Sequence, residues 1–366
     1  MQKLKIGTFE AIMLIFTIVI THTISALPRI ILSSEQSASI LNLLYVGIIA
    51  IIFSYFIFKL LNNFPGLDLI DISELAFGKL FKNIVGIIFI VYFIISSSML
   101  LRNFCESLKI LYYPMTDIVF IIGFFIISNS IANRLEFSAT LKTNLIILPI
   151  VLFSMIFLFV ANIDKFMPQR IFPILGNGFY NTFILGLTNL SSFSGIAFIY
   201  FLPPILKEPE KFKQVTLISV GITTIYLILS VATLLFMFSF FQHTNEIAPL
   251  YNVARYIEFG SFFERLDSLF LLIWILAFAC YFSIVTKFAM HILKKITNIE
   301  TKKPLIDIFG LLVFAISMFP KDSNTLQISE NKVFPTLVIG IIFILGISIL
   351  IFASLGKNRK EYKNYG

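Results

Sequence analysis

The chain has 366 residues, of which 58% are apolar and only 13% charged, and its net charge is +8. A soluble domain is roughly 45–50% apolar and about 25% charged, and a mean hydropathy of +0.94 excludes one, because a single core could not hide that much apolar surface. The 28 Lys and Arg form no basic face or stripe of the kind a nucleic-acid binder needs, so the bilayer, not nucleic acid, is the expected surrounding.

A membrane span needs about 20 mostly apolar residues at a rise of about 1.5 Å each. Ten runs qualify, approximately 8–27, 39–60, 84–101, 118–133, 144–163, 180–202, 215–240, 266–290, 305–319 and 334–353. The expected fold is therefore an all-α membrane protein of ten transmembrane helices in one domain, with a tail at 354–366. The first run follows Lys3 and Lys5 and ends near Ile24-Ser25-Ala26, which faintly resembles a cleavage site. It is longer than the roughly 7–15 residues of a signal-peptide core, so it reads as a retained helix. With the N-terminus inside, 19 Lys and Arg fall in cytoplasmic segments and 9 in outer ones. That enrichment is the expected one, and an even span count places the C-terminus inside as well.

In chain order, the first span is interrupted by Ile20-Thr21-His22-Thr23-Ile24-Ser25-Ala26 and is expected to stop at Leu27-Pro28. Residues 67–80 alternate acids (Asp68, Asp71, Glu74) with apolar residues, and read either as a short amphipathic helix in the interface or as a solvated connector. Tyr92, Ser96 and Ser97 lie in the middle of the third span, where they line a site or simply pack. The fourth and ninth runs are the shortest, and each begins near a carboxylate, Asp117 or Asp307, where the helix dipole favours one. The sixth span carries Gly186, Thr188, Asn189, Ser191, Ser192, Ser194 and Gly195 before stopping at Pro203-Pro204. The outer loop 241–264 is the longest and is expected to fold over the outer mouth. Trp274 and Tyr281 in the eighth span are seven apart and share a face, while Lys287 near its inner end is expected to snorkel to the headgroups.

Unwinding a helix in lipid leaves backbone groups unpaired, which is tolerated only against protein or a wet cavity. Interrupted helices at corresponding places in two halves point to a transporter-type site. Spans one and six correspond in a five-plus-five inverted repeat, with repeats at about 8–163 and 180–353. Half-helix N-termini and hydroxyls would hold a carboxylate, and free carbonyls an ammonium group, so a small zwitterion suits the site. Ordinary helix contacts also use Ser, Thr and Gly. The candidate ligand-binding residues are Thr21, His22, Thr23, Ser25, Tyr92, Ser96, Thr188, Asn189, Ser191, Ser192, Ser194, Gly195 and Trp274. His22 stands out because an ionisable group inside a membrane is a functional candidate, although a neutral histidine bonded to Thr or backbone is the simpler alternative. Cys105 and Cys280 are isolated and read as buried thiols. No phosphate-binding loop, HExxH motif or Asp-rich diphosphate motif occurs, so neither an enzyme nor a metal or other cofactor is expected.

One stretch carries a resemblance. Residues 249–257, Pro-Leu-Tyr-Asn-Val-Ala-Arg-Tyr-Ile, lead to Glu264-Arg265-Leu266-Asp267 and then Trp274. This resembles the spore germination permease family, the B-type subunits of nutrient germinant receptors. Chain length, ten spans, the Pro65-Gly66 loop with Gly78 and the first helix ending at Pro28 agree with it. Glu264, Arg265 and Asp267 read as a helix cap or as a contact with a partner subunit or the outer loop. The resemblance implies the LeuT-like five-plus-five fold of the amino acid–polyamine–cation transporter superfamily. It also implies a germinant that is often an amino acid, A-type and C-type partner subunits, and the inner spore membrane. Transport of the ligand does not follow from the fold, so a coupled permease and a scaffold with a vestigial pocket remain as competitors.

Overall fold

The computed structural model describes residues 5–24, 27–238, 248–257, 266–299 and 303–356. Its regular structure in these ranges is helical apart from one isolated β-bridge between Ile6 and Leu206. Among the described residues six helices are long and apolar enough to cross a membrane: Leu27–Leu61, Lys79–Tyr112, Phe137–Ala161, Pro209–Met237, Asp267–Thr297 and Thr325–Leu355. Thr8–Thr23, Ile118–Asn133 and Pro304–Ser317 are shorter and apolar. These nine account for every expected span except the sixth, which is not one continuous helix.

Helix α1 (Thr8–Ile24) is the centre of the bundle. An apolar sequence with no polar stripe is kept from water by protein or by lipid, and here protein covers it, since every residue from Ala11 to Thr21 is buried. It packs on α10 (Phe212–Met237), α12 (Leu266–Thr297) and α7 (Phe137–Ala161). At the other extreme, α6 (Ile118–Asn133) presents Phe120, Phe124 and Ile127 outward, each more than 60% exposed. A water-facing helix could not carry such a face, and a lipid-facing one can.

The first span ends at Ile24, a little before the expected stop at Leu27-Pro28. The chain is helical again in α2 (Leu27–Glu35). Pro28 therefore lies in the first turn of a new helix, where its missing N–H leaves no bond unmade. A 3₁₀ turn at Gln36–Ala38 then leads into α3 (Ser39–Leu61). Helix α5 (Lys79–Tyr112) also outruns its apolar core, because Arg102 and Glu106, one turn apart, pair at 3.3 Å and carry the helix onward.

Over the sixth segment the chain forms α8 (Phe179–Phe183), a 3₁₀ helix at Leu185–Phe193 and α9 (Ile196–Ile199). The expected unwinding is thus a tightening to 3₁₀ geometry. After Pro203-Pro204 the chain meets Ile6 in an isolated β-bridge, where the Ile6 N–H donates to Ile205 O at 2.8 Å and the Lys207 N–H to Ile6 O at 2.8 Å. The last helical run is wound irregularly too, with π-helical stretches at Ser329–Val333 and Ile339–Gly346 between α14 (Ser323–Ile328), α15 (Phe334–Val338) and α16 (Ile347–Leu355).

Helix α4 (Leu69–Phe77) is the short helix expected over residues 67–80 rather than a loose connector, and its first turns are packed into the bundle. Asp68 caps it in a reciprocal capping box with Asp71, and Leu69, Ile70 and Ile72 are buried within the bundle. Lys295 of α12 donates to Asp68 at 2.6 Å and to Asp71, and His291 lies 3.5 Å from Asp68. Burial by itself raises the Asp68 carboxyl, but His291 and the Lys295 charge outweigh it and hold the group well below the usual carboxylate range. Lys287 is likewise not a free, headgroup-seeking cation. Its ammonium donates to Asn133 O at 2.8 Å and Leu135 O at 2.6 Å, capping the carboxyl end of α6.

Lys295→Met leaves the Asp68 carboxylate buried and short of its main counter-charge, so it is expected to destabilise the folded chain by about 3 kcal/mol, measured as a fall in melting temperature in detergent. Since Asp68 has a lower pKa folded than unfolded, its stabilisation is present above about pH 4 and lost as pH falls further. The variant should therefore show a flatter acid limb than the unmodified protein.

Candidate functional site

A cavity of about 220 Å³ lies between α2, α5, the 3₁₀ segment and the first π-helical stretch with α15. Its lining includes His22, Ser33, Ser34, Thr188, Asn189, Ser191, Glu330 and Asn331, with Leu27, Ile30, Met99, Leu100, Phe334 and Pro335 supplying apolar walls. It is smaller than the roughly 300–1,000 Å³ of drug-sized pockets, and an apolar wall with a few convergent polar groups is the usual make-up of a small-molecule site.

The floor is built on aromatic rings. His22 stacks on Phe334 at 5.1 Å and meets Tyr281 edge-on at 5.6 Å. The Tyr281 hydroxyl lies 3.3 Å from that of Ser96. His22 Nε2 has no hydrogen-bond partner, so the imidazole is held by packing rather than by a bond to Thr or backbone.

One wall is fixed by a buried amide network. Asn42 of α3 donates to Thr182 O at 2.8 Å and Gly186 O at 3.2 Å. Asn189 donates to Asn42 Oδ1 at 2.9 Å and to Glu35 Oε1 at 3.1 Å. Side chains of α2 and α3 thus satisfy the sixth segment where its winding changes. Gly186 is required here because a Cβ would sit 2.2 Å from Asn42 Nδ2. Gly195 lets the same segment approach α1, where a Cβ would sit 2.9 Å from Ile15 O.

The opposite wall is charged. Glu330 Oε1 accepts from Asn103 Nδ2, and Glu330 Oε2 lies 3.6 Å from the Arg29 guanidinium without a hydrogen bond. Both side chains are almost wholly buried.

Of the residues singled out in the sequence, the cavity gathers His22, Thr188, Asn189 and Ser191. Thr21 and Thr23 donate to Thr17 O and Val19 O within α1, so their hydroxyls are turned to their own helix. Ser96 supports the floor through Tyr281. Tyr92 is buried against Phe93 at 5.5 Å, outside the lining. Ser192 and Ser194 are buried beside the lining with unpartnered hydroxyls. Trp274 stands apart against Phe104, Leu108 and Leu271 around a void of about 10 Å³. The fourth wall is therefore the last helical run rather than the eighth span, which reaches the site only through Tyr281. Ser25, Glu264 and Arg265 lie outside the described residues. Asp267 accepts from the Tyr251 hydroxyl at 2.5 Å, and Tyr251 meets Tyr112 at 2.8 Å. That chain ties α11 (Pro249–Arg255) of the long loop to α12 and α5.

Sequence reasoning missed Glu330, Arg29, Glu35 and Asn42. The polar run Ser329-Glu330-Asn331-Lys332, immediately before an apolar stretch, was the available signal. Among the described residues no group of three or more His, Cys, Asp and Glu could hold a metal ion.

Comparison with known proteins follows this geometry. A family model described as "Spore germination protein" matches residues 5–326. Spore germination protein YndE of Bacillus subtilis (strain 168) is 25% identical over 90% of this chain and 91% of its own. Spore germination protein A2 of the same organism is 25% identical over 90% of each chain, and B2 is 23% identical over 87% and 88%. Crystal structures of two mutants of the Eremococcus coleocola manganese transporter superpose with TM-scores of 0.56 and 0.52 at 13% and 12% identity. They cover 93% of this chain and 77% and 76% of theirs, so the fold is shared with transporters.

Gly186→Ala should push the Asn42 amide off its carbonyls and lower stability by about 1–3 kcal/mol. Gly221→Ala, in α10 with nothing within 4 Å of its Cβ, should be neutral or gain up to about 1 kcal/mol. Equal melting temperatures for the two variants would contradict the amide-network reading.

Proposed function

The chain belongs to the spore germination protein family, and from that premise we propose that it is a B-type integral membrane subunit of a spore germinant receptor. In this reading it binds a small nutrient, an amino acid, in a transporter-like cavity and so triggers germination. The observation that carries it is the cavity itself. A site of about 220 Å³ lies where two helical segments depart from regular winding, lined by Asn189, Ser191, His22 and Glu330. Such placement is what a transporter fold uses to hold a small solute.

The proposed arrangement is ten spans in a five-plus-five inverted repeat. The break between α1 and α2 corresponds to the 3₁₀ segment at Leu185–Phe193. The Lys and Arg distribution supports cytoplasmic termini, and the family supports the inner spore membrane and A-type and C-type partner subunits. Ligand binding acts on those partners only through a difference in affinity between two conformations.

The fold shared with transporters favours a second reading, an H⁺- or Na⁺-coupled amino acid permease. Purified protein in vesicles separates the two, since a permease alone moves its ligand and a receptor subunit need not.

Spores lacking the gene are expected to lose dipicolinate release and optical-density loss in response to one nutrient of a panel of amino acids and sugars, with recovery on complementation. Ser191→Leu, which fills the cavity, should abolish the same response with subunit levels unchanged on immunoblot. A full response from that variant would remove the cavity from the pathway.

A further inference from the structure

Glu330 supplies the charge in the cavity lining, and it is not a capped surface acid. Its Oε1 is taken by Asn103, whereas Oε2 has no hydrogen-bond donor although Arg29 stands 3.6 Å behind it. A buried carboxylate oxygen without a donor is costly, and a donor arriving with a ligand removes that cost. The pair also leaves the wall electrically balanced. In a low-dielectric cavity, a ligand that brings one net charge of either sign disturbs this balance, whereas a zwitterion preserves it. The same lining holds the His22 imidazole and the Ser191 hydroxyl, polar groups that can serve the ligand's other end, whereas both Asn189 N–H groups are already committed to Asn42 and Glu35. His22 Nε2 is likewise unpartnered.

We infer that Glu330 is the ammonium subsite of this cavity, and that the Arg29–Glu330 pair makes the chain select zwitterions over amines, hydroxy acids and sugars. This rests on the nutrient-binding reading above and adds the residue that discriminates. Arg29 acts as a positioning residue, since it does not line the cavity.

The test uses the full chain in lipid nanodiscs, with thermal melting and equilibrium binding as readouts. The probes are the twenty amino acids and a set of monosaccharides, then, for any amino acid that binds, its 2-hydroxy acid and its decarboxylated amine. The expected result is at least one amino acid that binds, with both analogues weaker by about tenfold or more, as loss of a charge-assisted hydrogen bond implies. Glu330→Gln should weaken the amino acid by a similar factor and bring its affinity down to that of the hydroxy acid, collapsing the ratio between them. A hydroxy acid that binds the unmodified protein as well as its amino acid overturns the subsite, whether or not the variant folds. So does a Glu330→Gln protein that melts cooperatively and keeps the original ratio. Binding of a sugar but no amino acid overturns the zwitterion preference and leaves a nutrient-binding cavity standing. A cooperatively melting protein that binds none of the probes overturns both the subsite and the amino acid reading it rests on.

Discussion

Inside hydrocarbon, a backbone N–H or C=O that loses its helical partner must find another within the protein. The irregular segments of this chain are arranged around that constraint. Where the sixth segment passes into 3₁₀ winding, the Asn42 side chain takes the carbonyls of Thr182 and Gly186. Where the last helical run opens into π winding, the buried Tyr200 hydroxyl donates to Ile342 O at 2.7 Å. At these two places the irregular winding therefore meets a side chain from another segment of the bundle. Small residues make the approach feasible. A Cβ on Gly346 would sit 2.6 Å from the Tyr200 ring, so glycine there is a condition of the Tyr200 contact.

Much of the fold was legible because it follows from hydropathy. Runs of apolar residues gave the spans, and the fourth, 118–133, coincides with α6. The boundaries that failed did so for identifiable reasons. Charge was treated as a terminator, yet Arg102 and Glu106 neutralise each other along one helix face, and α5 continues through them. Pro28 was treated as a stop, yet in the first turn of a new helix it is a start. Polar α4 was placed outside the bundle, because nothing local to residues 67–80 shows that Lys295, more than two hundred residues away, clamps its acids.

The site was legible in part, and the division has a physical basis. Asn189 and Ser191 stood out because polar residues in an oily span are expensive and so conspicuous. Asn42 and Glu35 did not, since single polar residues near span ends are ordinary, and their meaning depends on a partner in another helix. Thr21 and Thr23 were conspicuous for the same reason as Ser191, but a hydroxyl in a helix can bond to the carbonyl one turn back. Theirs do. Sequence composition registers that a polar group is present; only packing decides whether it faces a cavity or its own backbone.

The same packing links the cavity to the end of the bundle where α4 sits. Tyr200 bonds through its hydroxyl to the last helical run and through its carbonyl to the Leu69 N–H at 3.1 Å. Leu69 opens α4, whose cap residue Asp68 is held by Lys295 of α12. The sixth segment, the last helical run and α4 are therefore joined by buried hydrogen bonds that cost about 1–3 kcal/mol each to break without replacement.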